Sequence, residues 1–289
     1  MILGVDHLAL SCADLAAALS AIRAAGYTVQ FMHERLPNSA TKRPFLSVYE
    51  PVHAMAYCRP QRGAALELTQ HAAPLKEQAS FYQVLLKTPP SGTTPFRGTP
   101  PCSLRLWNVA LNTAGAQAVI WAPFGAQCWR MDAPTSDAGS CVRAVAMPAV
   151  QLKRSVMFWT QGLGCRLIAR GAERGRGWVH LSFRAAISAW SLEFILVEAG
   201  GVRRPNLDAA GFPCLAFLST DLAGDRRRLR EQGAAEIGEA SSHEINGKRL
   251  RMIIARGPSE EIVELIEFDH RSSRTRPRRA VAQQAAGVR

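Results

Sequence analysis

Four side chains capable of chemistry sit inside short apolar runs: His7 in HLALSC, Glu67 in LEL, Glu193 in SLEF and Glu264 in VEL. In an alternating run such a group points to one face of a strand, and a buried carboxylate left unpaired is costly. A buried Glu whose pKa is raised by desolvation can serve as a general base. For His7, a hydrogen-bonded interior residue and a metal ligand are both open readings. His180 in GWVHLSF reads better as a core or pocket-wall residue than as a ligand. His53 in VHAMAYCR fits an inner strand or a surface turn beside Pro51 equally well. The Arg cluster RGAERGRG (170–177) falls at a loop where it could clamp an acidic substrate, whereas RRRLR (226–230) reads as a solvated helix face. The seven cysteines show no CxxC pair and read as reduced core residues, Cys214 among them. No GxGxxG, P-loop, GxSxG or paired Ser/His/Asp pattern occurs.

The elements that must position these groups repeat. Residues 7–26 (HLALSCADLAAALSAIRAAG) and 214–233 (CLAFLSTDLAGDRRRLREQG) agree at seven positions, including Asp14/Asp221, Leu15/Leu222 and Gly26/Gly233. Each segment reads as an alternating strand, an Asp cap, a helix of roughly ten residues and a Gly stop. Each is followed later by a strand with Glu inside it. A third copy starts near Cys141 with VRAVAMPAV, LKRSVMFWTQGLG, CRLIARG, GWVHLSF and SLEFILVEA. With first-strand positions at 7, 144 and 214, the spacing leaves room for a degenerate copy over 72–135. Here a helix over Pro74–Leu86 and strands near 103–110, 116–121 and 126–131 are expected. Such units cannot close their own sheets and should pair into curved eight-stranded sheets with helices outside.

These strand-helix-three-strand units, with HLALSCADL opening one and VELIE closing another, resemble the vicinal oxygen chelate superfamily, as does the aromatic pair before a Leu-Gly stop in LKRSVMFWTQGLGC. That superfamily contains glyoxalase I, extradiol dioxygenases, epimerases and the bleomycin- and fosfomycin-resistance proteins. The likeness covers 1–71 and 141–268 well and 72–135 poorly. It implies an α+β fold of tandem βαβββ units in two cupped mixed sheets, in the four-unit layout of extradiol dioxygenases. It also implies an N-terminal domain over 1–135 (units one and two) and a C-terminal domain over 141–268 (units three and four); beyond them, composition reads 269–289 as a basic disordered tail.

The resemblance further implies a divalent metal (Fe, Mn, Ni or Zn) inside a cup, held by a first-strand His and a last-strand Glu. Unit one offers His7 and Glu67, unit three Ala144 and Glu193, and unit four Cys214 and Glu264. The dioxygenase iron set would read Ala144, Cys214 and Glu264. Since Ala cannot ligate, this argues against extradiol cleavage by the C-terminal pair. His7 with Glu67 remains the metal pair, with Glu264 or Cys214 joining if another pairing of units brings them near. A third ligand from unit two would have to be Glu77, Asp132 or Asp137, because 72–140 contains no His. The implied function is a glyoxalase- or dioxygenase-like enzyme acting on a small oxygenated substrate by lyase, isomerase or oxygenase chemistry, with Glu67, Glu264 and Glu193 as candidate catalytic acids. The alternative is a metal-free small-molecule-binding protein of the bleomycin-resistance type. In that case Trp107, Trp121, Trp129, Trp159, Trp178 and Trp190 are candidate cup linings.

Composition bounds these readings. The chain has 289 residues, 47% hydrophobic and 20% charged, as expected of a globular protein of two domains. No apolar run approaches the ~18 residues of a membrane span, and the N-terminus does not read as a signal peptide, so a cytoplasmic location is expected. Half of the net charge of +12 lies in the last twenty residues, which hold six Arg and no acid. That stretch reads as a solvated end rather than a nucleic-acid arm, having no interleaved aromatic residue to stack bases. A small-molecule partner is expected, and homodimerisation stays open.

Overall fold

The computed structural model describes residues 1–71, 81–86, 93–95, 116–121, 126–131, 142–186 and 190–269. The first unit runs β1 (Ile2–Cys12), α1 (Leu15–Ala24), β2 (Thr28–Pro37), β3 (Val52–Arg59) and β4 (Ala65–Gln70). Helix α1 starts where the Asp14 carboxylate accepts from the amides of Ala16 and Ala17. It buries Leu15, Ala18, Leu19 and Ile22, a stripe at helical spacing. It stops at Gly26, whose φ of +85° suits a residue without Cβ.

The third unit repeats this plan with β9 (Val142–Ala149), α2 (Leu152–Met157, continuing as a π turn over Phe158–Gly162), β10 (Arg166–Glu173), β11 (Arg176–Arg184) and β12 (Ser191–Glu198). The fourth has β13 (Gly211–Ser219), α3 (Leu222–Glu231), β14 (Glu236–Ile237), β15 (Ser241–Ile245), β16 (Lys248–Arg256) and β17 (Ile262–Phe268). Asp221 caps α3 through the amide of Gly224, and Gly164 and Gly233 end their helices at φ +86°. The three Gly stops are therefore one conformational device used three times.

The second unit departs from expectation. Strands β7 (Ala116–Trp121) and β8 (Ala126–Met131) fall where the sequence places them, and β6 is Thr93–Pro95. The helix expected over Pro74–Leu86 does not extend through its last residues, because Gln83–Leu86 forms strand β5, the opening strand missing from the sequence reading. An apolar run of that length fits either state, and tertiary pairing decides. β5 is clamped between β9 and β8, with Val84 opposite Val145 on one side and Cys128 on the other. Residues 74–80, the strand expected near 103–110 and the basic stretch 270–289 lie outside the described residues.

The strands form two curled mixed sheets. The first has the order β14-β16-β17-β13-β1-β4-β3-β2, with β15 on β16, and the second β10-β11-β12-β9-β5-β8-β7-β6. Unit one thus shares a sheet with unit four, and unit two with unit three; neither sheet is built from one consecutive half of the chain. The joint is an antiparallel β1–β13 ladder in which Leu8 faces Leu215 and Ala9 faces Cys214. The helices and one face of each sheet pack into a single apolar core. Trp159 at the end of α2 touches Phe194 of the second sheet and Phe217 of the first, at ring distances of 4.9 and 6.2 Å. Burying each such large side chain is worth roughly 1.5–3 kcal/mol. No described helix is long and apolar enough to cross a membrane.

Candidate functional site

Alternation decides which side chains enter the first cup. On β1, Leu8 and Leu10 face the helices, which leaves His7, Ala9 and Ser11 for the concave side. On β4 the concave position between Leu66 and Leu68 is Glu67, and on β17 the one between Val263 and Leu265 is Glu264. The ladders set their height. Ala9 stands level with Glu67 across β1–β4, and Ala216 level with Glu264 across β13–β17, so the two acids are related by the approximate symmetry of the paired units. His7 lies opposite Ala216, in the same lateral row as Glu264. By the same register Glu193 is level with Ala144, which makes Ala144 the counterpart of Ala9. The place of His7 in unit three therefore falls two residues earlier, at Val142, not at Ala144 as sequence spacing suggests. Val is no more a ligand than Ala.

His7 is buried and held from both sides. Its Nδ1 lies 2.9 Å from the Asp6 carboxylate, which also accepts from the Tyr57 hydroxyl at 3.1 Å. Its Nε2 lies 3.6 Å from Glu67 Oε2 and has no hydrogen-bond partner. Burial alone would favour the neutral ring, but Glu67 and Asp6 outweigh it and raise the imidazole pKa to about 9. Burial tends to raise the pKa of Asp6, yet its bonds to His7 and Tyr57 bring it below the ordinary carboxylate value. Glu264 moves the opposite way. Burial raises its pKa, the positive charge of Lys42 opposes this, and the neighbouring Glu67 reinforces it.

These groups floor a cavity of about 240 Å³ that opens between β2, β3, β15, β16 and β17. That is below the usual span of drug-sized sites, so it suits a metabolite-sized molecule. Lys42, His53 and His243 stand on one wall; Phe31, Tyr57 and Phe268 supply aromatic surface. Phe31 and Tyr57 stack with parallel rings 5.3 Å apart. Among the described residues, no candidate tryptophan lines this cavity. Trp159 is core, Trp178 flanks Gly171 on β10 and Trp190 packs against the core, while Trp121 and Trp129 belong to the other sheet. Trp107 lies outside the described residues, as do Glu77, Asp132 and Asp137.

The remaining candidates lie apart from this cup. Glu193 belongs to the second sheet, where it accepts from Ser182 at 3.0 Å and meets His180 Nε2 at 2.8 Å. Those contacts outweigh burial and lower its pKa, so it is a satisfied carboxylate rather than a poised base. Cys214 is buried in an apolar cluster with Ala9 and Met252, and its thiol donates to the Leu215 carbonyl at 3.7 Å. Burial raises its pKa well above the ordinary thiol value, which leaves no reactive thiolate. The cluster 170–177 forms the exposed β10–β11 turn and clamps nothing in the cup. On α3, Arg226 pairs with Glu239 and Arg228 with Asp225. His53 is the cup residue of its two readings. Asp6, Lys42 and His243 were not singled out in the sequence, although an acid next to the one promising His was visible there.

A bound divalent ion would find a mixed N/O set here: His7 Nε2, Glu67 and Glu264. The chemistry fits, because an imidazole fixed through Nδ1 by a carboxylate, with Nε2 left bare, is the usual arrangement of a ligating His. The carboxylates would still have to draw in, since no three His, Cys, Asp or Glu side chains among the described residues stand close enough to hold an ion.

No family model matches the chain, and no curated protein matches it. Solved structures do. Glyoxalase I from Zea mays superposes with a TM-score of 0.55 at 13% identity, covering 91% of this chain and 92% of the other. A putative dioxygenase from Bacillus subtilis superposes with a TM-score of 0.53 at 11% identity, over 92% and 85% of the two chains. The chain therefore shares its fold with glyoxalase I and this putative dioxygenase, an α+β fold of two curled mixed sheets as read from its repeats.

Proposed function

We propose that the cup between units one and four is the active site of an enzyme acting on a small oxygenated molecule, with a divalent cation held by His7, Glu67 and Glu264. The observation that carries this reading is the bare, buried Nε2 of His7. A buried ring nitrogen that meets Glu67 only at 3.6 Å and has no hydrogen-bond partner, in a cup whose other carboxylate is pushed toward its neutral form, is costly unless something completes it. When bound, a cation supplies Lewis-acid polarisation of a substrate oxygen, in keeping with lyase, isomerase or oxygenase chemistry. The chain's own residues do the rest. Asp6 holds the Nδ1 proton of His7 and so fixes the ring's direction, and Tyr57 fixes Asp6. Met55, Leu250 and Met252 line the space above with apolar surface. The glyoxalase I and dioxygenase names of the structural neighbours agree with this class of chemistry without selecting a reaction.

Metal analysis of protein purified without an affinity tag tests the reading. A stoichiometric Fe, Mn, Ni or Zn ion, lost in His7→Ala and Glu67→Gln, is expected; wild-type protein that takes up none of these from millimolar solution contradicts it. A second reading has its own support. The first-strand place of unit four is taken by Cys214, whose thiol donates to the Leu215 carbonyl, and no three ligating side chains among the described residues stand close enough to hold an ion. In that reading His7 stays an imidazolium between Asp6 and Glu67, and the cup binds its ligand without metal, as a sequestering protein would. Chelator-insensitive ligand binding distinguishes it.

A further inference from the structure

Lys42 presents its ammonium to the cavity from a rigid mount. It sits in the 3-10 turn Ala40–Phe45, whose Phe45 is fully buried and whose Phe45 carbonyl accepts from the Leu207 amide at 2.7 Å. Just beyond, the amides of Ser47 and Val48 donate to the Asp208 carboxylate at 2.9 and 3.0 Å. On the near side the Asn38 amide donates to the Pro51 carbonyl at 2.8 Å. The loop is thus tied down at both ends, and Lys42 lines the cavity half-buried. Its ammonium makes no ion pair or hydrogen bond with any described residue, while its backbone amide donates to the Ser39 carbonyl at 3.0 Å. The other cations of the cavity are engaged: Arg59 lies over the Tyr57 ring and Lys248 over that of Phe268, at 5.6 and 5.9 Å.

Beside Lys42 stand His53 and His243, with His71 behind His53 at a ring distance of 6.1 Å. Burial first, and the charge of Lys42 second, lower the pKa of His53 to about 3 and that of His243 to about 4. These are neutral rings that can offer an N–H to an oxygen. His53 Nδ1 and His71 Nε2 are buried without any hydrogen-bond partner. This part of the cavity therefore has an ammonium without an ion pair, whose field reaches Glu264, and two neutral rings, while Leu36, Met55 and Met252 provide apolar surface next to them.

We propose that the cavity selects small carboxylic acids with an apolar body, the carboxylate resting on Lys42 with His53 and His243 beside it and the body against Met55 and Met252. This deepens the small-molecule reading of the same cup and rests on it. Lys42 is also the main positive influence on Glu264. A cation that engages Glu264 would leave the ammonium to the ligand, so cation and acid should bind cooperatively.

Calorimetric titration with benzoate, and with benzamide as its neutral counterpart, tests the proposal on the full chain with and without Mn²⁺. Benzoate is expected to bind at least tenfold more tightly than benzamide. Lys42→Met should erase that preference and its coupling to Mn²⁺, and Lys42→Arg should keep both, while both variants still take up Mn²⁺. Circular dichroism confirms that the variants fold. Equal affinities, no benzoate binding, or an acid preference that survives Lys42→Met overturns the proposal. Mn²⁺ uptake is read separately, so failure of the metal reading shows as absent Mn²⁺ binding whatever benzoate does.

Discussion

Glu261, in the turn joining β16 to β17, offers a stability test that can be worked through from its surroundings. It is 1% exposed, and its carboxylate accepts from the Ser259 amide at 2.7 Å and from the Trp159 indole at 3.1 Å. Burial dominates over both donors and pushes its pKa up to about 7, from an ordinary 4.5. Because the native pKa is raised, the native state keeps a proton that the unfolded chain releases. The stabilisation is complete below the ordinary value and is lost as pH rises through about 7. At ~1.4 kcal/mol for each pH unit, the loss amounts to roughly 3 kcal/mol. Glu261→Gln removes this titration. Its amide must place an N–H near one of the two donors, a pH-independent cost of about 1–3 kcal/mol. Urea unfolding of both proteins at pH 4.5 and pH 8 separates the two effects, since all other titrating groups cancel in the difference. The variant is expected to gain roughly 3 kcal/mol on wild type between the two pH values, whatever its offset. A difference between the proteins that stays within ~0.5 kcal/mol across that range would refute the reasoning.

Asp14→Ala and Asp221→Ala each remove a helix cap and should each cost about 1 kcal/mol in urea unfolding, nearly additively because the sites are far apart. Gly26→Ala and Gly233→Ala place a Cβ at φ near +85° and should lower stability by roughly 1 kcal/mol each, again read by urea. Tyr82→Phe deletes a buried bond to the Ile262 carbonyl (2.8 Å) that ties the second unit to the fourth, and should cost about 1–3 kcal/mol. Asp6→Asn should leave the fold intact yet weaken Mn²⁺ binding by 10–100-fold, because it loosens the ring of His7 without removing a ligand; calorimetry reads this directly.

The repeat was legible because it is written in local chemistry: an Asp cap, a helical apolar stripe and a Gly stop recur at equal spacing. The partnership of unit one with unit four was not. Edge strands of similar composition can pair in more than one order, and periodicity does not say which edge meets which. That pairing decides the site, since it brings Glu264 of β17 into the row of His7 while leaving Glu193 in the other sheet. Gln83–Leu86 was misread for a related reason, as its strand state comes from the ladders on either side. Lys42 carried no signal at all, because its importance arises from a loop pinned by Leu207 and Asp208, far away in sequence.

His7, Glu67 and Glu264, drawn from the first and last units of the chain, are proposed to form one cation site. Anomalous diffraction from a crystal soaked in Mn²⁺ tests it most directly. A single strong peak within ~2.0–2.3 Å of His7 Nε2 and of oxygens from both carboxylates is the expected result. A map without a peak in this cup, with Nε2 of His7 still facing only Glu67, would contradict it.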